Sequence, residues 1–446
     1  MKILLASLSV LVLASFATAD VRVVSPAGQY TTIQAAIDAA RDDDVILVKS
    51  GTYPSFTVRA KSLVIAEDVG HVVRINGAIR IGGIDATRTV TLMGLENVGG
   101  TVSNTALQHG LRVVNSSGLV FVQDCTLRAS LVPTTDTTVI TQPRPALLVE
   151  NSLSVVLTNC TVLGSDSVLG QSPNYYPTAG LPYCSGVPSE GAYLSNSGVS
   201  FFQCNVFGGP GRSAAVDGSH GAHGIWAVGS ALFLCRSTVA GGAGANGNCF
   251  SLACQVGSVG GDGGNGVLAD GGTACITRAT TPVGGAHGIF TTGFGGSTDN
   301  CYSIGCTPSF AGINGASVHL LGSSTRTTQA TIQQTFSGPT ILREKKTGQL
   351  SFTCDPGATV RRYSSREGIA SYDPVTQSIQ VTSFGPSFRD TLVGVGAGAP
   401  LFDPITGPKF ASGETHRLFY YQCVQISGIG ARLGTPRVVL VVAGTY

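Results

Sequence analysis

Charge is scarce in this sequence. Asp, Glu, Lys and Arg together make up 12% of its 446 residues, and the formal net charge is only +2. That balance leaves no electrostatic footprint for nucleic acid, which shows as Lys and Arg clustered on one face. Long apolar runs are missing past the N-terminus. No later segment offers the roughly 20 consecutive apolar residues that a membrane helix needs, so no membrane insertion is expected. Cysteine is absent before Cys125, so no lipid-bearing cysteine follows the leader, and tryptophan occurs once, at Trp226.

Lys2, an apolar run from Ile3 to Phe16, and Ala17-Thr18-Ala19 before Asp20 have the pattern of a cleavable signal peptide over residues 1–19. A secreted protein, extracellular or at the cell surface, is expected. The 12 cysteines are even in number, and outside the cytoplasm they can form disulfides whose connectivity the sequence leaves open. Glycine reaches 60 residues while apolar residues hold at 43%, too many for disorder. The length exceeds one compact core, so an elongated repeat is expected.

After Asp20 comes a short strand over Val21 to Val24. Ile33, Ala36, Ile37 and Ala40 then fall at helical spacing, with Thr31 and Gln34 placed as a capping box. A buried strand over Val45 to Val48 leads to Ser50-Gly51-Thr52-Tyr53. This opening resembles the start of many β-helix proteins of the pectin-lyase-like superfamily. The resemblance implies a solenoid whose helix plugs one open end, and it carries no catalytic group. Imperfect repeats agree with a solenoid. Leu111 to Asn115 with Leu119 to Leu127 is echoed by Leu147 to Asn151 with Val155 to Val162, and Asp124-Cys125-Thr126-Leu127 by Asn159-Cys160-Thr161-Val162.

The fold expected is therefore all-β: a right-handed parallel β-helix over 20–330 with a short N-terminal capping helix, then a smaller C-terminal β-rich domain over 331–446. Glycine-rich loops lie between Gly208 and Gly315. Within them Asn248 to Cys254 recurs as Asn300 to Cys306, so Cys249, Cys254, Cys301 and Cys306 are disulfide candidates, paired within or between the copies. Cys354 and Cys423 are a further candidate pair. The basic run Arg343, Lys345, Lys346, Arg361, Arg362, Arg366 reads as a solvated face, and the C-terminal domain is expected to cover the far end of the solenoid.

Chemistry concentrates at Asp217-Gly218-Ser219-His220-Gly221-Ala222-His223. Asp217, His220 and His223 suit an acid–base or metal site. The recurrence of His-Gly at His109-Gly110-Leu111 and at Ala286 to Ile289 reads instead as the start of a strand. His223-Gly224-Ile225 resembles the Gly-His-Gly strand of the polygalacturonases, but the paired aspartates such hydrolases need are missing. Gln123-Asp124-Cys125-Thr126-Leu127 resembles a pectin methylesterase motif without its companions, and the carboxylates a calcium-dependent pectate lyase needs are scattered, at Asp217, Asp262, Asp270 and Asp299. Gly260 to Leu268 approximates a calcium-binding nonapeptide around Asp262, with Asn265 where an aspartate is usual, and reads as a glycine-rich turn; no metal site is expected. Tyr175, Tyr176, Tyr183 and Trp226 offer rings on which sugars stack. Two functions follow as expectations: a non-catalytic scaffold that contacts extracellular or cell-wall polysaccharide, or a polysaccharide lyase or glycoside hydrolase with a divergent site.

Overall fold

The computed structural model describes residues 19–446 except 100–108, 131–143, 167–187, 212–218, 250–261, 288–289, 293–312, 330–334, 374–377, 383–388, 396–399 and 429. Through residue 329 the named strands all pair in parallel, in a solenoid-like stack with one short helix, Ile33–Ala39. A typical coil contributes three short strands, such as Leu111–Val114, Leu119–Gln123 and Thr126–Arg128. The second strand of every coil joins one 10-stranded sheet. The long strand Val73–Gly82 pairs Val73 to Ile75 with Leu95–Asn97 and Ile79 to Gly82 with Leu111–Val114, so the other large sheet divides into two arms. We call these faces first, second and third in the order a coil visits them.

Each face keeps register from coil to coil, so side chains stack in columns. Leu111, Leu147, Ala192, Ile225 and Val267 form one inward column, and Val120, Val155, Val199, Leu232 and Cys275 another, all at most 1% exposed. The corner between second and third faces turns through a residue at positive φ: Asp124, Asn159, Gln203, Arg236 and Ala279. At the near end, helix residues Ile33, Ala36 and Ile37 seal the apolar interior. Its N-cap is Thr32, which accepts the Ala35 N–H, and not Thr31; Gln34 instead bridges to the Thr57 backbone in the wall. Lys61 Nζ donates to the Ile37 and Ala40 carbonyls at 2.7 Å, satisfying acceptors left open at the helix end.

The glycine-rich segments that fall within the described residues are not turns. They run extended and side by side in two layers, one entering the first face (219–224, 262–266, 313–317) and one leaving the third (208–211, 240–245, 283–287). Within layers, Gly221 and Gly224 donate to Asp262 and Asn265, Gly263 and Gly266 to Ile313 and Ala316, and Gly241 and Gly244 to Val283 and Ala286. Between layers, Ala222, Gly242, Gly264, Gly285 and Gly315 each donate to the previous member of the series, starting from Gly209. Bonds that recur every third residue and leave in different directions match the three-residue turn of a polyproline-II-type helix. Apart from Ala222, the positions where layers touch leave no room for a side chain. A Cβ on Gly264 would lie 1.9 Å from the Ala222 carbonyl oxygen, and one on Gly242 1.9 Å from that of Gly209.

From Thr335 the pairing turns mostly antiparallel. This part was expected to cover the far end; instead it lies along the second face. His416 Nε2 lies 3.1 Å from the Asp43 carbonyl, Tyr420 stands edge-on to Phe121, the Gln123 side chain exchanges two bonds with the Val438 backbone (3.0 and 2.8 Å), and Arg437 grips both oxygens of Asp124. Farther on, fully buried Arg278 donates to the Leu433 carbonyl at 2.8 Å. The cause is the second face's outward side, where Val45, Leu47, Val64, Met93, Phe121, Val156, Phe202 and Phe233 are apolar and join Tyr420, Val438 and Leu440 in one cluster.

Substituting Gly264→Ala should lower unfolding stability by about 1–3 kcal/mol, the usual cost of overpacking. Ala243→Ser, at an exposed site in the same block, should stay within about 0.5 kcal/mol. Denaturant melts of the two variants check this; equal effects would contradict the layered packing.

Candidate functional site

The first face turns a continuous column of side chains outward: Arg80, Arg112, Leu148, Tyr193, Trp226, Leu268 and His319, one per coil. Three residues earlier on each coil runs a second column: His109, Pro145, Glu190, His223, Asn265 and Ala316. The columns meet at an aromatic group. The rings of Tyr193 and Trp226 stand 5.2 Å apart at 84°, and those of His223 and Trp226 6.3 Å apart at 82°. The indole N–H of Trp226 is covered and has no hydrogen-bond partner among the described residues. Arg112 faces Glu150 at 3.5 Å.

The backbone of the glycine block sets the chemistry of the two histidines expected here. Asp262 N–H donates to His220 Nδ1 at 2.9 Å, and Asn265 N–H donates to His223 Nδ1 at 3.0 Å. A ring nitrogen that accepts carries no proton, so neutral His223 holds its hydrogen on Nε2 and donates from there, whereas His220 Nδ1 also faces the Asp262 carboxylate at 3.3 Å. The Asp262 and Asn265 side chains continue the pattern, accepting the Ile313 N–H (2.6 Å) and Ala316 N–H (2.8 Å) of the next coil. His109 differs: its Nδ1 lies 3.0 Å from the Pro145 carbonyl, which only accepts, so there Nδ1 bears the hydrogen.

Burial, then the nearby His319, pushes His223 below the usual imidazole range. Burial also pushes His109 down, to about 4, with Arg144, Arg112 and Arg80 adding repulsion. Glu190 moves the other way: burial raises its carboxyl. The column is thus biased toward neutral side chains.

His220, His223 and Trp226 therefore share one region, with His220 well exposed (72%) and the other two half-buried. Asp217, Tyr175, Tyr176, Tyr183, Cys254, Cys301 and Cys306 lie outside the described residues, as does the side chain of Cys249, which ends the short strand Gly247–Cys249. Cys354 and Cys423 are both buried in one apolar cluster with Phe352 and Val360. Among the described residues, no group of three or more His, Cys, Asp or Glu is placed to hold a metal ion. His109 and His223 do precede first-face strands at one register position, whereas His287 lies in the layer leaving the third face, its backbone N–H held by Asn314 at 2.9 Å. Tyr193 and Glu190 are site residues the motif search missed. Aligning Glu190-Gly191-Ala192-Tyr193 with His223-Gly224-Ile225-Trp226 would have found both.

No family model matches the chain, and no curated protein matches it. Among solved structures, the chain is similar to the crystal structure of Dettilon tailspike protein at 12% identity, over 86% of this chain and 94% of that one, with a TM-score of 0.21. A likeness this loose carries neither fold nor activity across.

His109 gives the site a pH dependence of definite sign. Its folded value, about 4, lies below the ordinary 6.5, so the unfolded chain binds the proton more readily between those limits. Its contribution to stability is complete above pH 6.5 and is lost as pH falls toward 4. A melting series over this range should show wild type losing more stability on acidification than His109→Asn, which keeps an N–H for Pro145 but does not titrate. Parallel curves would refute the assignment.

Proposed function

We propose that the chain is an exported, right-handed parallel β-helix whose first face is a non-catalytic contact surface for extracellular or cell-surface polysaccharide. Removal of residues 1–19 would leave a coil body over 20–330 and a smaller β-rich domain over 331–446 that covers the second face. Parallel strands joined by crossovers are right-handed in nearly all proteins, which supports the handedness. The observation that carries the contact reading is the Tyr193–Trp226 pair, outward on a rigid sheet beside the Nε2–H of His223. Sugar rings stack on such faces while hydroxyls take the polar contacts.

The second reading, a lyase or hydrolase, draws on Glu190, whose raised carboxyl suits a proton donor. A hydrolase needs a second carboxylate within about 5–9.5 Å. Among the described residues of this face, Glu150 sits five residues farther along the sheet, about 16 Å away by strand rise, and faces Arg112. The contact surface is the better account.

Purified protein should be screened against acidic and neutral polysaccharides, reading bound protein and released reducing or unsaturated ends together. Binding without products is expected, and Trp226→Ala should weaken it about tenfold or more, the loss of roughly 1.4 kcal/mol, without altering the melt. Product release that disappears in Glu190→Gln would establish the enzyme instead. Silence in both channels would overturn the contact reading.

A further inference from the structure

The corner between second and third faces places Cys125, Cys160 and Cys204 in one column. Their neighbours Thr126, Thr161 and Asn205 are in direct register on successive coils, so consecutive Cα atoms lie about 4.8 Å apart, one strand spacing. That falls inside the window of roughly 4.4–6.8 Å that a disulfide spans. The sulfurs point along the stack. Cys160 N–H donates to Cys204 Sγ and Leu95 N–H to Cys125 Sγ, each at 3.4 Å, and each thiol donates to the carbonyl two residues before it, at 3.2–3.3 Å. Coils farther on fill the same place with Ser237 and Thr280, bonded the same way. All three cysteines are at most 2% exposed.

We propose that Cys160 is the site of a coil-to-coil disulfide, made with one of its two stacked neighbours, Cys125 or Cys204. Only Cys160 has a sulfur on both sides. Cys125 and Cys204 are two coils apart, about 10 Å, beyond bridging distance. Cys235 and Cys275 stand in register with Arg278 and Phe202, and with Leu232 and Arg326, so neither has a cysteine opposite. One bridge within this column follows, with one thiol of the three left over. In forming it, two thiols lose two protons and two electrons. The electrons pass by thiol–disulfide exchange to an oxidised disulfide, such as glutathione disulfide or a disulfide oxidoreductase, which is reduced to two thiols. Burial in the finished stack places the exchange before or during coil packing. Export supplies the oxidising compartment, and in that respect alone the inference rests on the proposed function.

The test is non-reducing peptide mapping of the full chain made in two ways: exported through a bacterial periplasm, and refolded from the reduced state in a defined glutathione buffer, which needs no export. Thiols are alkylated under denaturing conditions before digestion. The Cys160 peptide should appear linked to that of Cys125 or Cys204, with the third residue alkylated. Cys125→Ser and Cys204→Ser should each keep a bridge to Cys160, whereas Cys160→Ser should leave Cys125 and Cys204 both alkylated. Serine already occupies this column at Ser237, so the variants keep its hydrogen bonds, and their melts confirm the fold. Complete alkylation of all three cysteines in refolded wild type, or a Cys125–Cys204 bridge in Cys160→Ser, would overturn the proposal.

Discussion

The structure depends on one constraint: parallel strands stack in register, so whatever a coil places at a position meets the same position on the next coil about 4.8 Å away. Valine stacks on valine inside, hydroxyl on hydroxyl at Ser116, Ser152, Ser197 and Ser230, and thiol on thiol at the neighbouring corner. Each serine after Ser116 accepts the N–H of the serine before it, and all four donate to a carbonyl two residues back within their own coil. Burial of polar groups in the wall is tolerable because the neighbouring coil satisfies them.

The glycine block obeys the same rule with a different backbone. Where two extended layers approach until a Cβ would sit 1.9 Å from a carbonyl oxygen, only glycine leaves room, and the hydrogen bonds gained offset its conformational entropy. The block then fixes His220 and His223 through the N–H groups of the following coil. His223, one of a pair that suggests acid–base chemistry in the sequence, is thereby an oriented donor in the fold.

The coil body was legible because periodicity reports it directly: the repeats around Cys125 and Cys160 are adjacent coils, and the helix near Ile33 does seal an end. The placement of the C-terminal part was misread, although a clue was present. Val45 to Val48 and Leu119 to Val122 are apolar without alternation, the mark of strands buried on both sides, so the second face needed a cover more than the far end did. The glycine layers were read as loops because pattern rules assign glycine clusters to turns and contain no template for a three-residue period. Glu190 stayed hidden because no motif contains it; only its register with His223 gives it meaning.

The lateral cover has a consequence for the order in which the chain can acquire its shape. The strand Arg437–Val442 comes more than 300 residues after Phe121, which it seals together with its neighbours, while Arg343 reaches back to Asp68. During synthesis the coils can wind one after another, but their apolar flank stays wet until residues 437–442 arrive. Completion is therefore coupled to the presence of residues 437–442. A polypeptide cut short before residue 437 would be a wound solenoid with a long sticky side, suited to removal by quality control and unable to persist as a working fragment.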